Sequence, residues 1–179
     1  GESVAGTQGG SFIIQADGTY TFIPGTDFDN LAAGETRSTS IKYTADDQNG
    51  GAVEATLLVV ITGVNDAPAS TPIPNQTSLD NAAVTFDVAP HFTDPDASDL
   101  FTFTAGGLPP GLSIDPATGV ISGTIDNSAS VSGPYNVTVT GTDPSGAATS
   151  QSFVWTVSNP APTATAEAFT TGENTNVSD

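Results

Sequence analysis

The sequence predicts an all-β protein built of β-sandwiches in tandem. Three observations carry this. Apolar residues alternate with polar ones in short runs, as in Tyr135, Val137, Val139 and again in Phe153, Trp155, Val157. Clusters of Gly, Pro, Asp and Asn separate these runs, and the 19 glycines and 13 prolines fall as punctuation rather than as one low-complexity tract. No segment keeps a 3.6-residue apolar period for three turns, so a helical reading has no support.

The elements follow in order. Residues 11–23 form two β-rich runs around Asp17-Gly18, a strong hairpin signal, with Tyr20 and Phe22 on one face. Ile41 and Tyr43 mark the next strand and residues 53–61 another, joined by the turn 46–51, which makes about four strands before Pro68. These leave the first module short, with unpaired edges and an uncovered face. The second stretch is richer: residues 73–79, then Val84, Phe86 and Val88, then Phe101 and Phe103. Residues 112–114 and 120–121 flank an Asp115–Gly119 turn, and the runs from Tyr135 and Phe153 complete about seven strands between Pro68 and Pro160. Ninety-odd residues with turns at this spacing read as one immunoglobulin-sized sandwich. Both stretches close in the same way: a strand, an acidic turn, a last strand and a Pro-bearing linker (Val64-Asn65-Asp66-Ala67-Pro68, then Val157-Ser158-Asn159-Pro160).

Composition narrows the function. Twenty acidic residues stand against two basic ones, Arg37 and Lys42, for a net charge of −18. Nucleic acid and anionic membrane are repelled by such a surface, whereas a cation complements it. With no cysteine there is no disulfide and no thiolate metal site. No apolar run has transmembrane length and no signal peptide is recognisable, so membrane insertion is not expected and the chain reads as an internal piece of a longer one.

The chemistry concentrates at the linker. Asp94 and Asp96 are two apart in an extended turn restrained by Pro95, and Asp99 closes that loop. Asp143 follows a long strand that returns to the same pole, and Asn65 and Asp66 arrive from the preceding module. Carboxylates with an amide suit Ca2+, which takes six to eight oxygens in a tolerant geometry. Asp and Asn are also ordinary turn formers, and a solvated acidic surface is the alternative account of the charge, so the residues alone favour calcium while leaving both readings open. The loop is not an EF-hand, because Asp99 and Ala105 stand where that loop needs Gly and Glu. A weaker metal candidate is Asp46, Asp47 and Asn49 at the opposite pole of the first module, and Asn159 would belong to a site with a following module. Asp27 and Asp29 read as exposed turn residues, His91 as a partly buried neighbour of Phe92, and Trp155 as core. No Ser-His-Asp, paired-carboxylate or phosphate-loop arrangement stands out, so an enzyme is not expected.

Residues 9–68 resemble the C-terminal part of bacterial cadherin-like (VCBS-type) repeats, through Ala16-Asp17-Gly18-Thr19-Tyr20-Thr21-Phe22, Phe28-Asp29-Asn30-Leu31 and Gly63-Val64-Asn65-Asp66-Ala67-Pro68. Residues 72–160 resemble the dystroglycan-type cadherin or Ig-like repeat, most specifically through the run 108–124. The resemblance implies tandem Ig/cadherin-like Greek-key β-sandwiches in an elongated array: a first module at 1–68, a second at 69–160, and a linker with the opening of a further module at 161–179. It weights the acidic joint towards Ca2+, shared by Asn65, Asp66, Asp94, Asp96, Asp99 and Asp143. It also implies a stalk-like extender of an RTX-type surface adhesin on the bacterial cell surface, whose partners are neighbouring repeats or like subunits. Two alternatives stand beside it. Residues 163–179, with a possible strand at 165–170, would pair with module 1 of a neighbouring chain and make a fibre, or the sandwich would bind carbohydrate, ice or peptide.

Overall fold

The computed structural model describes residues 1–162 except Ala16, Asp47 and Gln48. The expected strand at 165–170 and its pairing therefore lie outside the described residues, as does Asp47. The described chain is all-β, with two short 3-10 turns and no α-helix.

The N-terminal module comprises β1 (Ser3–Ala5), β2 (Ser11–Ile14), β3 (Tyr20–Ile23), β4 (Thr36–Asp46) and β5 (Ala52–Thr62). The first three make one antiparallel sheet, and β4 and β5 form an eleven-residue hairpin paired from Thr36↔Thr62 to Asp46↔Ala52. The β2–β3 hairpin forms where Asp17-Gly18 predicts it. Gly18 takes φ 86°, and Asp17 Oδ1 accepts the Thr19 amide and hydroxyl at 3.0 and 2.7 Å. Strand β1 escapes the sequence reading because Ser-Val-Ala holds a single large apolar residue and so shows no alternation. Phe12, fully buried, meets Phe22 at 4.8 Å between ring centroids, and Phe28, Leu31, Ala32 and Ile41 complete the small core. Buried Thr39 binds the β1–β2 loop to β4, donating to the Gly9 carbonyl at 2.9 Å and accepting the Gln8 amide at 3.2 Å. Towards the far end the core thins out: Ile14, Tyr20, Tyr43 and Leu57 line an open cleft, and Val53 is exposed.

The C-terminal sandwich comprises β6 (Ala69–Ser70), β7 (Gln76–Leu79), β8 (Ala83–Asp87), β9 (Phe92–Thr93), β10 (Thr102–Gly106), β11 (Leu112–Ile114), β12 (Val120–Thr124), β13 (Tyr135–Thr142) and β14 (Ala148–Ser158). One sheet runs β10-β13-β14-β7, with β7 parallel to β14, and the facing sheet runs β11-β12-β8. Strand β10 begins one residue after Phe101, whose ring packs on Phe92 and Phe103 instead of extending the ladder. The two-residue pair β6–β9 is likewise illegible from sequence. The inward faces of β13 and β14 bury Val137, Val139, Phe153, Trp155 and Val157 against Val88, Phe103, Ile121 and Ile125. Trp155, 1% exposed, donates its indole N–H to Ser78 Oγ at 3.1 Å, so its polar edge is satisfied inside the core. Each large side chain buried in this way contributes roughly 1.5–3 kcal/mol.

This framework sets the poles. The β13–β14 turn closes tightly at Asp143, with Thr142 paired to Ala148, at the end of the sandwich where β6 pairs β9. β14 then runs eleven residues away, so Asn159 emerges at the other pole. Replacing fully buried Ile121 with Ala is expected to cost about 2–5 kcal/mol. Urea titration followed by Trp155 fluorescence should give a lower midpoint with an unchanged m-value.

Candidate metal centre

The joint is built by three segments, the linker, loop 94–99 and the β13–β14 turn, which are tied together by hydrogen bonds. In loop 94–99, Asp94 Oδ1 accepts the Asp96 amide at 3.0 Å, and the Asp99 amide bonds the Asp96 carbonyl at 3.2 Å. This Asx turn curls the loop so that Asp94 and Asp99 face inward. Asp96 is 2% exposed, and its Oδ2 accepts the Asp66 amide of the linker at 2.9 Å. In the β13–β14 turn, Asp143 Oδ1 accepts the Ala147 amide at 2.9 Å and Oδ2 accepts Asn65 Nδ2 at 3.0 Å. The same Asn65 nitrogen reaches the Asp66 carbonyl at 2.7 Å.

The remaining atoms define the site. Asn65 Oδ1, Asp94 Oδ2, Asp96 Oδ1 and Asp99 Oδ2 are buried without a hydrogen-bond partner. Asp94, Asp99 and Asp143 each present a carboxylate oxygen within 4.8 Å of the other two. Unpaired buried oxygens are costly, and charged ones more so, unless a cation compensates them. The donors are all hard oxygens, as Ca2+ requires.

Two carboxyls respond to this environment in opposite directions. Burial pushes the Asp99 carboxyl above its ordinary range, and the charges of Asp96, Asp94, Asp143 and Glu35 push the same way. Asp143 is held below its ordinary range by the Asn65 amide first and by the Ala147, Gly146 and Ser145 amides, with burial opposing them.

The structure thus brings Asn65, Asp94, Asp96, Asp99 and Asp143 to one place. Asp66 takes part through its backbone amide and carbonyl rather than through a located carboxylate contact. Asp46 ends β4 and lines the far cleft, and Asn49 lies in the following turn, both remote in the fold from the joint. Asp27 is exposed but not idle, since its Oδ2 accepts the Gly10 amide at 2.7 Å. His91 closes a 3-10 turn, with Nδ1 3.4 Å from Thr71 Oγ1. Sequence reasoning missed Asn30, whose carbonyl accepts the Ala97 amide at 3.3 Å from across the joint. A backbone contact of this kind leaves no mark on residue type.

Residues 67–158 match the family described as Putative Ig domain, just over half of the 179 residues. The chain belongs to that family. No curated protein matches the sequence. Human mucin-like protocadherin EC1-2 superposes with a TM-score of 0.60 at 15% identity, over 83% of this chain and 78% of that one. The protocadherin gammaB7 EC3-6 cis-dimer structure gives 0.52 at 12% identity, over 86% and 40%. A Bacteroides fragilis protein described as a putative alpha-galactosidase/melibiase gives 0.41 at 18% identity over 52% of this chain and 18% of that one, so the chain spans less than a fifth of its length. The likeness is one of fold: an Ig-like, cadherin-like all-β sandwich, an architecture consistent with an extracellular structural or adhesion module. Among the described residues no helix is long and apolar enough to cross a membrane.

The pKa directions predict a pH signature in chelator. A carboxylate raised in the folded state costs stability above its folded pKa, and the cost is relieved as pH falls through that value towards the unfolded one. Asp99→Asn should therefore be more stable than the parent at about pH 7, and the gap should close towards about pH 4. Asp143, lowered, contributes stability above its unfolded value of 3.8 that is lost as pH falls through its folded pKa, so Asp143→Asn should be less stable at neutral pH. Urea melts across that range check both signs.

Proposed function

We propose that this chain is a calcium-rigidified extender of a bacterial surface adhesin or filament, holding successive β-sandwiches in line and projecting distal binding domains. Its work is mechanical rather than catalytic, and its partners are neighbouring repeats of the same polypeptide or like subunits. The observation that carries the reading is the set of four partnerless buried oxygens drawn from both sides of the joint, beside the Asp94, Asp99 and Asp143 trio.

The residues that would hold Ca2+ are Asn65 from the linker, Asp94, Asp96 and Asp99 from one loop, and Asp143 from the β13–β14 turn. Bound there, the ion would offset the mutual repulsion of the carboxylates and supply the missing partners of the buried oxygens. The protein's part is to hold the donors in position. Asp96 clasps the linker through Asp66, and Asp143 clasps it through Asn65, so the linker cannot swing without breaking bonds to the C-terminal sandwich. A donor set of several protein oxygens favours Ca2+ over Mg2+, which prefers to keep its waters. The site is therefore a hinge lock: at low calcium the carboxylates repel and the joint loosens, and at high calcium it stiffens.

Calorimetric titration should register Ca2+ binding, and a hundredfold excess over Kd should add about 2.7 kcal/mol of stability. Asp143→Asn and Asp94→Asn should each weaken binding at least about tenfold, since each removes a charged oxygen from the set. Small-angle scattering should show an extended particle that broadens in chelator. A scattering profile and melting temperature indifferent to chelation would refute the reading.

A further inference from the structure

One of the chain's two basic residues stands next to the acidic joint without entering it. Arg37, on β4, spreads its guanidinium over the 27–30 segment: Nη1 donates to the Asp27 carbonyl at 3.0 Å and Nη2 to Asn30 Oδ1 at 3.2 Å. Its Cζ lies 5.7 Å from the ring centroid of Phe28, which is buried in the module's core. Three contacts thus fix Asp27, Phe28 and Asn30 to the sheet. The Asp27 carboxylate adds a bond to the Gly10 amide at 2.7 Å. The segment then reaches outward at one point, where the Asn30 carbonyl accepts the Ala97 amide at 3.3 Å. Ala97 lies in the middle of the loop that carries Asp94, Asp96 and Asp99. Among the described residues, this is the one hydrogen bond from the body of the N-terminal module to that loop.

We propose that Arg37 is a positioning residue of the metal centre: it clamps the 27–30 segment so that the Asn30 carbonyl braces the Asp94–Asp99 loop in its metal-holding shape. The inference rests on the reading of the joint as a calcium site. It assigns the first module a share in that site beyond its linker residues, carried by contacts rather than by a ligand. The planar fork is essential, because the two acceptors lie on different residues and are met by two nitrogens of one rigid group. A lysine carries the same charge on a single flexible point and cannot hold both.

Charge and clamp make opposite predictions. As a mere positive charge near the carboxylates, Arg37 would oppose a cation, and Arg37→Gln would tighten Ca2+ binding. As a clamp, its removal loosens the brace. Calorimetric Ca2+ titration of the full chain is therefore expected to show Arg37→Gln and Arg37→Lys both weaker by about three- to tenfold. Asn30→Ala, which leaves the charge and the backbone carbonyl in place, should weaken binding in the same direction. Lys42→Gln, which removes the other positive charge from an exposed position on β4, should not weaken it. Thermal melts in chelator monitor folding of each variant. Tighter or unchanged binding in Arg37→Gln, or a parental affinity in Arg37→Lys, would overturn the proposal, as would a loss of chelated stability with no loss of affinity. If the parent chain itself binds no Ca2+, the calcium reading falls with it, whereas parental binding with unaltered variants defeats the Arg37 inference alone.

Discussion

Electrostatic repulsion inside a confined joint is the constraint on which the arrangement turns. Oxygens of Asp94, Asp99 and Asp143 stand within 4.8 Å of one another, with Asp96 buried in the same loop. At such separations, shielded from water, like charges are tolerated only with a compensating partner. The surrounding hydrogen bonds supply part of it. The Asn65 amide and three backbone amides hold Asp143 ionised, while Asp99 receives no such help and is pushed the other way. An additional positive charge would supply the partner that these hydrogen bonds leave out.

The sandwich makes that concentration possible. β13 and β14 are anchored by a core of Val137, Val139, Phe153 and Trp155, so the turn at Asp143 sits at the end of a rigid ladder. Loop 94–99 follows the β6–β9 pair that ties the linker's exit to Phe92 in the same core. Anchored at both sides, the two loops hold their carboxylates close to one another. The N-terminal module is less well covered, with exposed Tyr20, Tyr43 and Val53 towards its far end, yet its joint-facing end is firmly held by Phe28, Leu31 and Ala32. Order is thus concentrated at the joint.

Legibility in the sequence followed local chemistry. The β2–β3 hairpin was readable from Asp17-Gly18, and β13 and β14 from their strict alternation, because turn conformation and pleat act over a few residues. β1, β6 and β9 were not, since Ser-Val-Ala, Ala-Ser and Phe-Thr each hold a single large apolar residue or none and so show no alternation, whereas Leu112-Ser113-Ile114 does. Asp94, Asp96, Asp99 and Asp143 were legible as candidates because acidic turn residues cluster around Pro95 and Pro144. The brace from Asn30 was not, and neither was the clamp by Arg37, although a lone arginine in so acidic a chain is a faint signal.

By itself the sequence determined the all-β character, most strand positions and the residue types able to meet a hard cation, because these depend on periodicity and side-chain chemistry alone. Only the tertiary structure decided which oxygens are spent on backbone amides and which stay free. It also decided that Asp66 works through its main chain and that the first module touches the loop through a carbonyl. Those outcomes depend on how two modules are oriented across a linker, and such orientation is set by the summed contacts of residues distant in sequence.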